Sequence, residues 1–128
     1  MEVRINLITI WTDDIGPMKE FYTSTLGFNV LDDLGTYIEL ENRGVRFALC
    51  MREVMYDYCE EYRKQRAGQS FELAFSCRAP DEVDISYEDI ISKGGKPVQD
   101  PMTMPWGQRT ALFADPDGNI HEVFADLE

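Results

Sequence analysis

The segment "FADPDGNIHEVFADLE", residues 113–128, holds the only histidine of the sequence, so imidazole chemistry resides at His121 or nowhere. Glu122 stands next to it. A histidine beside a carboxylate suggests a metal-ligand pair or an acid–base couple. The segment reads as a strand entered through the turn "DPDG" (residues 115–118), and successive side chains of a strand point to opposite faces. His121 and Glu122 therefore do not chelate one ion together. His121 is expected on an outward strand face, where its loss costs little. Gly118 closes the turn at a position where φ > 0 is expected, so substituting it should harm folding more than substituting His121.

The remaining chemistry-bearing types are sparse. Cys50, Cys59 and Cys77 are three, widely spaced and without a CxxC pair, which reads as reduced thiols and neither a disulfide framework nor a zinc site. GxxxxGK[ST], GxSxG and a helical HExxH are all missing from the sequence. Among the aromatic residues, Trp106 is distinctive. It sits in "MTMPWGQ" (residues 102–108), read as an irregular loop flanked by Pro105 and Gly107, where binding residues concentrate. The strand aromatics Trp11, Tyr37, Phe47, Phe75 and Phe113 read first as core, and Tyr56, Tyr58 and Tyr62 stud a polar connector.

The elements that position these residues follow from periodicity and turn signals. Residues 3–11 alternate as a strand. A helix follows with Asp14 as N-cap, Pro17 in its first turn, Met18, Phe21, Tyr22 and Leu26 at helical spacing, and Gly27 as its stop. Strands are expected over 28–32, 35–41 and 45–51, the last two joined by the hairpin turn "ENRG". The order then recurs: strand 71–77, a helix in 79–95 with Asp81 as N-cap and Gly94–Gly95 as stop, and strands 97–99, 109–114 and 120–125. Two βαβββ modules, 1–52 and 70–128, are thus joined by a connector, 53–69, expected to be a helix ending near Gly68.

At 128 residues the length is that of one domain with a real core, and no apolar run reaches the length of a membrane-spanning helix. The N-terminus lacks the features of a signal peptide, so the cytoplasm is the expected location. A formal charge of −12 repels nucleic-acid backbones and anionic lipid, so no nucleic-acid or membrane partner is expected, while cations would be attracted.

Two stretches carry a family resemblance. "TDDIGPMKEFYTSTLGF" (residues 12–28) resembles the first-module signature of the vicinal oxygen chelate superfamily, which contains glyoxalase I, bleomycin-resistance proteins and extradiol dioxygenases. "PWGQRTALFADPDGNIHEVF" (residues 105–124) resembles the ending of its second module. The resemblance covers essentially the whole chain. It implies an α+β fold of tandem βαβββ modules whose curved sheets form a cup, paired in a homodimer. An apolar concave face and sheet edge left by each module would favour such pairing.

In the family's metal enzymes, matching strands supply four ligands. The resemblance places these on Leu7, on Ala48 or Leu49, on Glu72 and on Glu122. Two of the four positions are apolar, so no intact metal site and no cofactor are expected. Glu72 and Glu122 remain as a pair of carboxylates. Held close in a half-buried cup they would repel, raising one pKa for general acid or base work, hold a cationic ligand, or bind a metal weakly with waters. Alternatively Glu72 is one residue out of register and faces solvent. Trp106, Trp11 and Phe47 are the candidate ligand-binding aromatics beside Glu72 and Glu122. The function expected is metal-free binding of a small cationic or aromatic molecule. The alternative is a glyoxalase-like lyase or isomerase using a divalent metal or the two carboxylates.

Overall fold

The structure, a computed structural model, describes residues 1–64 and 67–128. The chain divides into two compact units, Met1–Ala67 and Gly68–Glu128. Each follows the order strand, helix, three strands, and residues 53–64 of the connecting segment lie in the first unit.

In the first unit, β1 (Leu7–Thr12) and α1 (Ile15–Glu20) precede β2 (Val30–Asp33), β3 (Tyr37–Leu40) and β4 (Arg46–Met51). The sheet order is β1-β4-β3-β2, with β1 parallel to β4 and the other pairs antiparallel. β1 starts at Leu7 and not at residue 3, because its ladder partner among the described residues, β4, begins at Arg46 directly opposite. Asp14 occupies the N-cap position of α1, but its carboxylate makes no cap bond. Instead the Asp14 N–H donates to Thr12 Oγ1 at 3.1 Å. α1 widens into a π-turn at Phe21–Thr25, where the Leu26 N–H reaches back five residues to the Phe21 carbonyl. The wider turn lets two sequence neighbours, Phe21 and Tyr22, both point inward and be buried. Gly27, at φ +94°, ends the turn as expected.

α2 (Arg52–Tyr58) follows β4 and stops at Cys59, whose extended backbone (φ −155°, ψ 121°) breaks the single helix expected there. A 3-10 turn covers Glu60–Arg63, and the expected continuation through residues 65 and 66 lies outside the described residues.

In the second unit, β5 (Ala74–Ser76), α3 (Pro80–Ser92), β6 (Lys96–Met104), β7 (Gln108–Ala114) and β8 (Ile120–Asp126) give the sheet order β5-β8-β7-β6. This is the order of the first sheet, so the repeat inferred from the sequence is a repeat of topology. The architecture is α+β, as the resemblance implied. α3 begins at Pro80 with Ala79 as its cap, two residues before the expected Asp81, because proline suits the first helical position. The Glu82 carboxylate then takes the Arg78 N–H at 3.0 Å. Past its end, a Cβ on Gly95 would lie 2.5 Å from the Ile90 side chain, so the chain turns there only as glycine. α3 packs through Val83, Tyr87 and Ile90, and Arg109 of β7 grips Asp84 with Nη2 at 2.7 Å from Oδ2.

β6 is far longer than the strand expected over 97–99. It passes two irregularities in register and reaches Met104 before a three-residue turn leads into β7. "MTMPWGQ" is therefore a tight hairpin end and not an irregular loop, with Gly107 at φ +88° closing it. Among the described residues no helix is long and apolar enough to cross a membrane.

Candidate functional site

The register of the second sheet fixes which side chains share a face. Ala74, Glu122, Leu112 and Gln99 form one cross-strand row, and Ser76, Phe124, Thr110 and Met102 form the next. These residues lie on the face away from α3. The alternate residues Phe75, His121, Phe113 and Arg109 lie on the face that α3 covers.

His121 is therefore not on an outward face. It is 2 % exposed, in edge contact with Phe113 and Phe75, and part of the core. The Leu73 N–H donates to His121 Nδ1 at 3.2 Å, which assigns the ring proton to Nε2. Nε2 in turn lies 3.7 Å from Oδ2 of Asp115, a carboxylate with no exposed surface. Asp115 is the centre of the "DPDG" turn. Its Oδ1 accepts the N–H groups of Asp117 and Asn119 at 3.0 and 2.9 Å, and its Oδ2 accepts the Asn119 side-chain amide at 2.8 Å. Reading an isolated polar residue as outward overlooked a partner 48 residues away in the chain, so the expectation that His121 is dispensable is reversed.

Glu122 faces the other way, half-buried beside Ala74 and Leu112. Its own N–H donates to the Leu73 carbonyl at 2.9 Å. Glu72, the residue before Leu73, is exposed. Burial first and the charge of Glu72 second push the Glu122 carboxyl above its ordinary pKa. Glu72 lies two residues before Ala74, the register partner of Glu122.

Trp106 lies at the far end of the same sheet. Its indole N–H donates to Gln108 Oε1 at 3.0 Å, and the Gln108 amide donates to Asp126 Oδ1 at 3.0 Å. Asp126 is four residues from Glu122 along β8, about 13 Å at ~3.3 Å per residue. Phe124 and Thr110 lie between. A ligand touching both Trp106 and Glu122 must span that length. Phe124 is the residue that sequence reasoning missed, although its i+2 spacing from Glu122 on a strand was the signal.

In the first unit, Leu7, Thr9 and Trp11 share a face with Arg46, Ala48 and Cys50 of β4, and with Tyr37 and Glu39 of β3. Trp11 meets Tyr62 edge-on at 4.6 Å, and with Glu61 and Lys64 these rings line a cleft of about 520 Å³. Phe47 is on the opposite face. It is 4 % exposed and packs on Tyr22 and Phe28 at ring distances of 5.5 and 5.2 Å. Phe47 is core beneath α1 and not a ligand contact, because one step along a strand reverses the face.

Residues 4–123 match the family model described as the Glyoxalase/Bleomycin resistance protein/Dioxygenase superfamily. The chain belongs to this superfamily. Among the relatives of this superfamily member, the uncharacterized protein YraH of Bacillus subtilis is 30% identical over 131 residues, covering 98% of this chain and 100% of YraH. A glyoxalase/bleomycin resistance protein/dioxygenase from Nocardioides superposes with a TM-score of 0.87 at 26% identity, covering 100% of this chain and 86% of that one. A family enzyme from Burkholderia phytofirmans PsJN superposes at 0.86 with 20% identity, over 98% of this chain and 100% of that one, which shows the shared fold.

Against the superfamily's metal positions the donor set does not fit. Leu7 has no donor atom, and neither Ala48, which shares its face, nor buried Leu49 has one. The remaining two positions supply carboxylates alone. Among the described residues no group of three or more His, Cys, Asp or Glu side chains is placed to hold a metal ion.

Proposed function

We propose that this superfamily member binds a small, planar aromatic cation without a metal, on the face of the second sheet away from α3. The observation that carries the reading is one surface with two chemistries. The half-buried carboxyl of Glu122, which feels burial first and the charge of Glu72 second, lies at one end, and Leu112, Phe124 and the indole of Trp106 offer apolar and aromatic contact along it. A half-buried carboxylate attracts a cation more strongly than one in water does, and an aromatic face adds stacking and cation–π attraction.

A second reading rests on the raised pKa of Glu122. A carboxylic acid that holds its proton to higher pH serves as a general acid or base, so a metal-free lyase or isomerase step at Glu122 is the enzymatic alternative. In both readings the working assembly is a homodimer, as the resemblance implies. Light scattering at micromolar concentration tests this, and a monomer contradicts it.

The binding reading is tested by calorimetric titration of a panel of aromatic cations. Stacking on an indole contributes ~0.5–2 kcal/mol, so Trp106→Ala should weaken the best hit roughly threefold to thirtyfold while the melting temperature holds. Unchanged affinity in Trp106→Ala would make the indole a cap on the hairpin and remove it from the site.

A further inference from the structure

The cleft in the first unit takes Trp11 from β1, and Glu61, Tyr62 and Lys64 from the 3-10 turn Glu60–Arg63 and the residue that ends it. Its volume of about 520 Å³ falls within the roughly 300–1,000 Å³ of small-molecule pockets. The charges around it cancel locally. Glu61 and Lys64 pair with each other at 2.7 Å, and Asp13, two residues after Trp11, pairs with Arg52 at 3.0 Å. The net charge of −12 is therefore not felt as an excess among the lining residues, and what they present is two aromatic rings. Those rings meet edge to face at 4.6 Å, which leaves no room for a third ring between them but leaves the cleft beside them.

The turn that carries Tyr62 is a small body with a hinge at each end. Cys59 before it (φ −155°, ψ 121°) and Lys64 after it (φ −70°, ψ 114°) are both extended. Arg63 pairs with Glu60 at 2.6 Å inside the turn, and none of its residues is buried. Two ring contacts hold it to its surroundings: Arg63 over the Tyr56 ring at 4.7 Å, and Tyr62 against Trp11. Contacts of this kind between exposed groups are each modest, so the turn can shift without disturbing the sheet.

We propose that this cleft is a second binding site, for a neutral, planar, bicyclic aromatic molecule, with the Glu60–Arg63 turn as its movable wall. The bound ring joins Trp11 and Tyr62 as the third member of an aromatic cluster. Rotation about Cys59 and Lys64 lets Tyr62 follow the ring. Because the local charges are already paired, a cation gains nothing here that a neutral ring does not, in contrast to the surface at Glu122. The site stands on the first unit alone and does not depend on the cation reading above.

The test is titration of the full chain with coumarin, a neutral planar bicycle, followed by nitrogen–proton NMR. The expected result is a saturable shift of the Trp11 indole N–H and the Tyr62 amide. Hydrogen exchange should slow at the Tyr62 and Lys64 amides, which close the turn by bonds to the Cys59 and Glu61 carbonyls at 3.1 and 3.2 Å. Tyr62→Ala should weaken coumarin roughly twofold to tenfold, the fold-change that one aromatic contact supplies. Tyr62→Phe keeps the ring and should bind as wild type does. Tyr62 is 41 % exposed on its turn, so both variants should fold. Should Tyr62→Ala lose its fold, Tyr62→Leu keeps apolar bulk without the ring and should weaken coumarin likewise. Trp106→Ala should leave the midpoint read at the Tyr62 amide unchanged, since that indole belongs to the second unit. Absence of a saturable shift at Trp11 and Tyr62 in wild type overturns the site. So do shifts confined to Trp106 and Phe124, or wild-type affinity in Tyr62→Ala or Tyr62→Leu. Exchange at Tyr62 and Lys64 that coumarin leaves unchanged overturns the movable wall.

Discussion

Replacing His121 with alanine is expected to destabilise the chain by about 3 kcal/mol, a loss on the order of 10 °C in melting temperature. Three contributions add up. The part-buried Leu73 N–H loses its acceptor, an omission that costs about 1–3 kcal/mol. The ring also fills space against Phe75 and Phe113, so alanine leaves a void beneath α3. Finally, the buried Asp115 carboxylate loses the imidazole that faces it. Gly118→Ala is the control. Its φ of +87° strains any residue with a Cβ, but a Cβ there meets nothing within 4 Å, so the cost is conformational and about 1 kcal/mol. Thermal unfolding of both variants should show His121→Ala as clearly the worse. Equal losses, or a milder His121→Ala, would mean that the imidazole is not a core group.

Glu122→Gln is expected to lose cation binding by about tenfold or more while leaving neutral aromatic compounds nearly unaffected. A charge-assisted contact in a partly desolvated setting contributes about 1.5–3 kcal/mol, and each ~1.4 kcal/mol is tenfold in affinity. Glutamine preserves the shape and removes only the charge. The same variant has a stability signature with a definite sign. Burial and Glu72 raise the folded-state pKa of Glu122, so the folded chain holds that proton more tightly than the unfolded chain does. The stability this provides is fully present below the ordinary carboxylate range and is lost as pH rises through the raised value. Glu122→Gln should therefore be more stable than wild type near pH 7, and that advantage should disappear near pH 4. Denaturant unfolding at the two pH values reads it, and a constant difference would place Glu122 in an ordinary solvated setting.

How much of this was legible in the sequence differs from residue to residue. The repeat of topology was, because Gly27 and Gly94–Gly95 punctuate two similar strand–helix patterns. The alternation along residues 120–126 also placed Glu122 and His121 on opposite faces. What alternation leaves open is which of two faces a helix covers. That was decided by α3, which packs through Val83, Tyr87 and Ile90 on the His121 side. Phe47 was misread for the same reason: its parity relative to Leu7 is fixed only once Leu7 is seen opposite Arg46. The hairpin at Trp106 was hidden because proline and glycine marked a turn while the irregular register of β6 masked its true length. Asp115 carried no signal of its own beyond the turn motif, since its role depends on a ring six residues later.

The central claim is that a small cation binds through the Glu122 end of the second sheet without a metal. The most direct measurement is calorimetric titration of planar aromatic cations into chelator-treated protein, in wild type and in Glu122→Gln. Saturable binding of one molecule per chain, indifferent to the chelator and at least tenfold weaker in Glu122→Gln, is the predicted result. Binding that appears only when a divalent metal is restored, or that Glu122→Gln leaves unchanged, would contradict it.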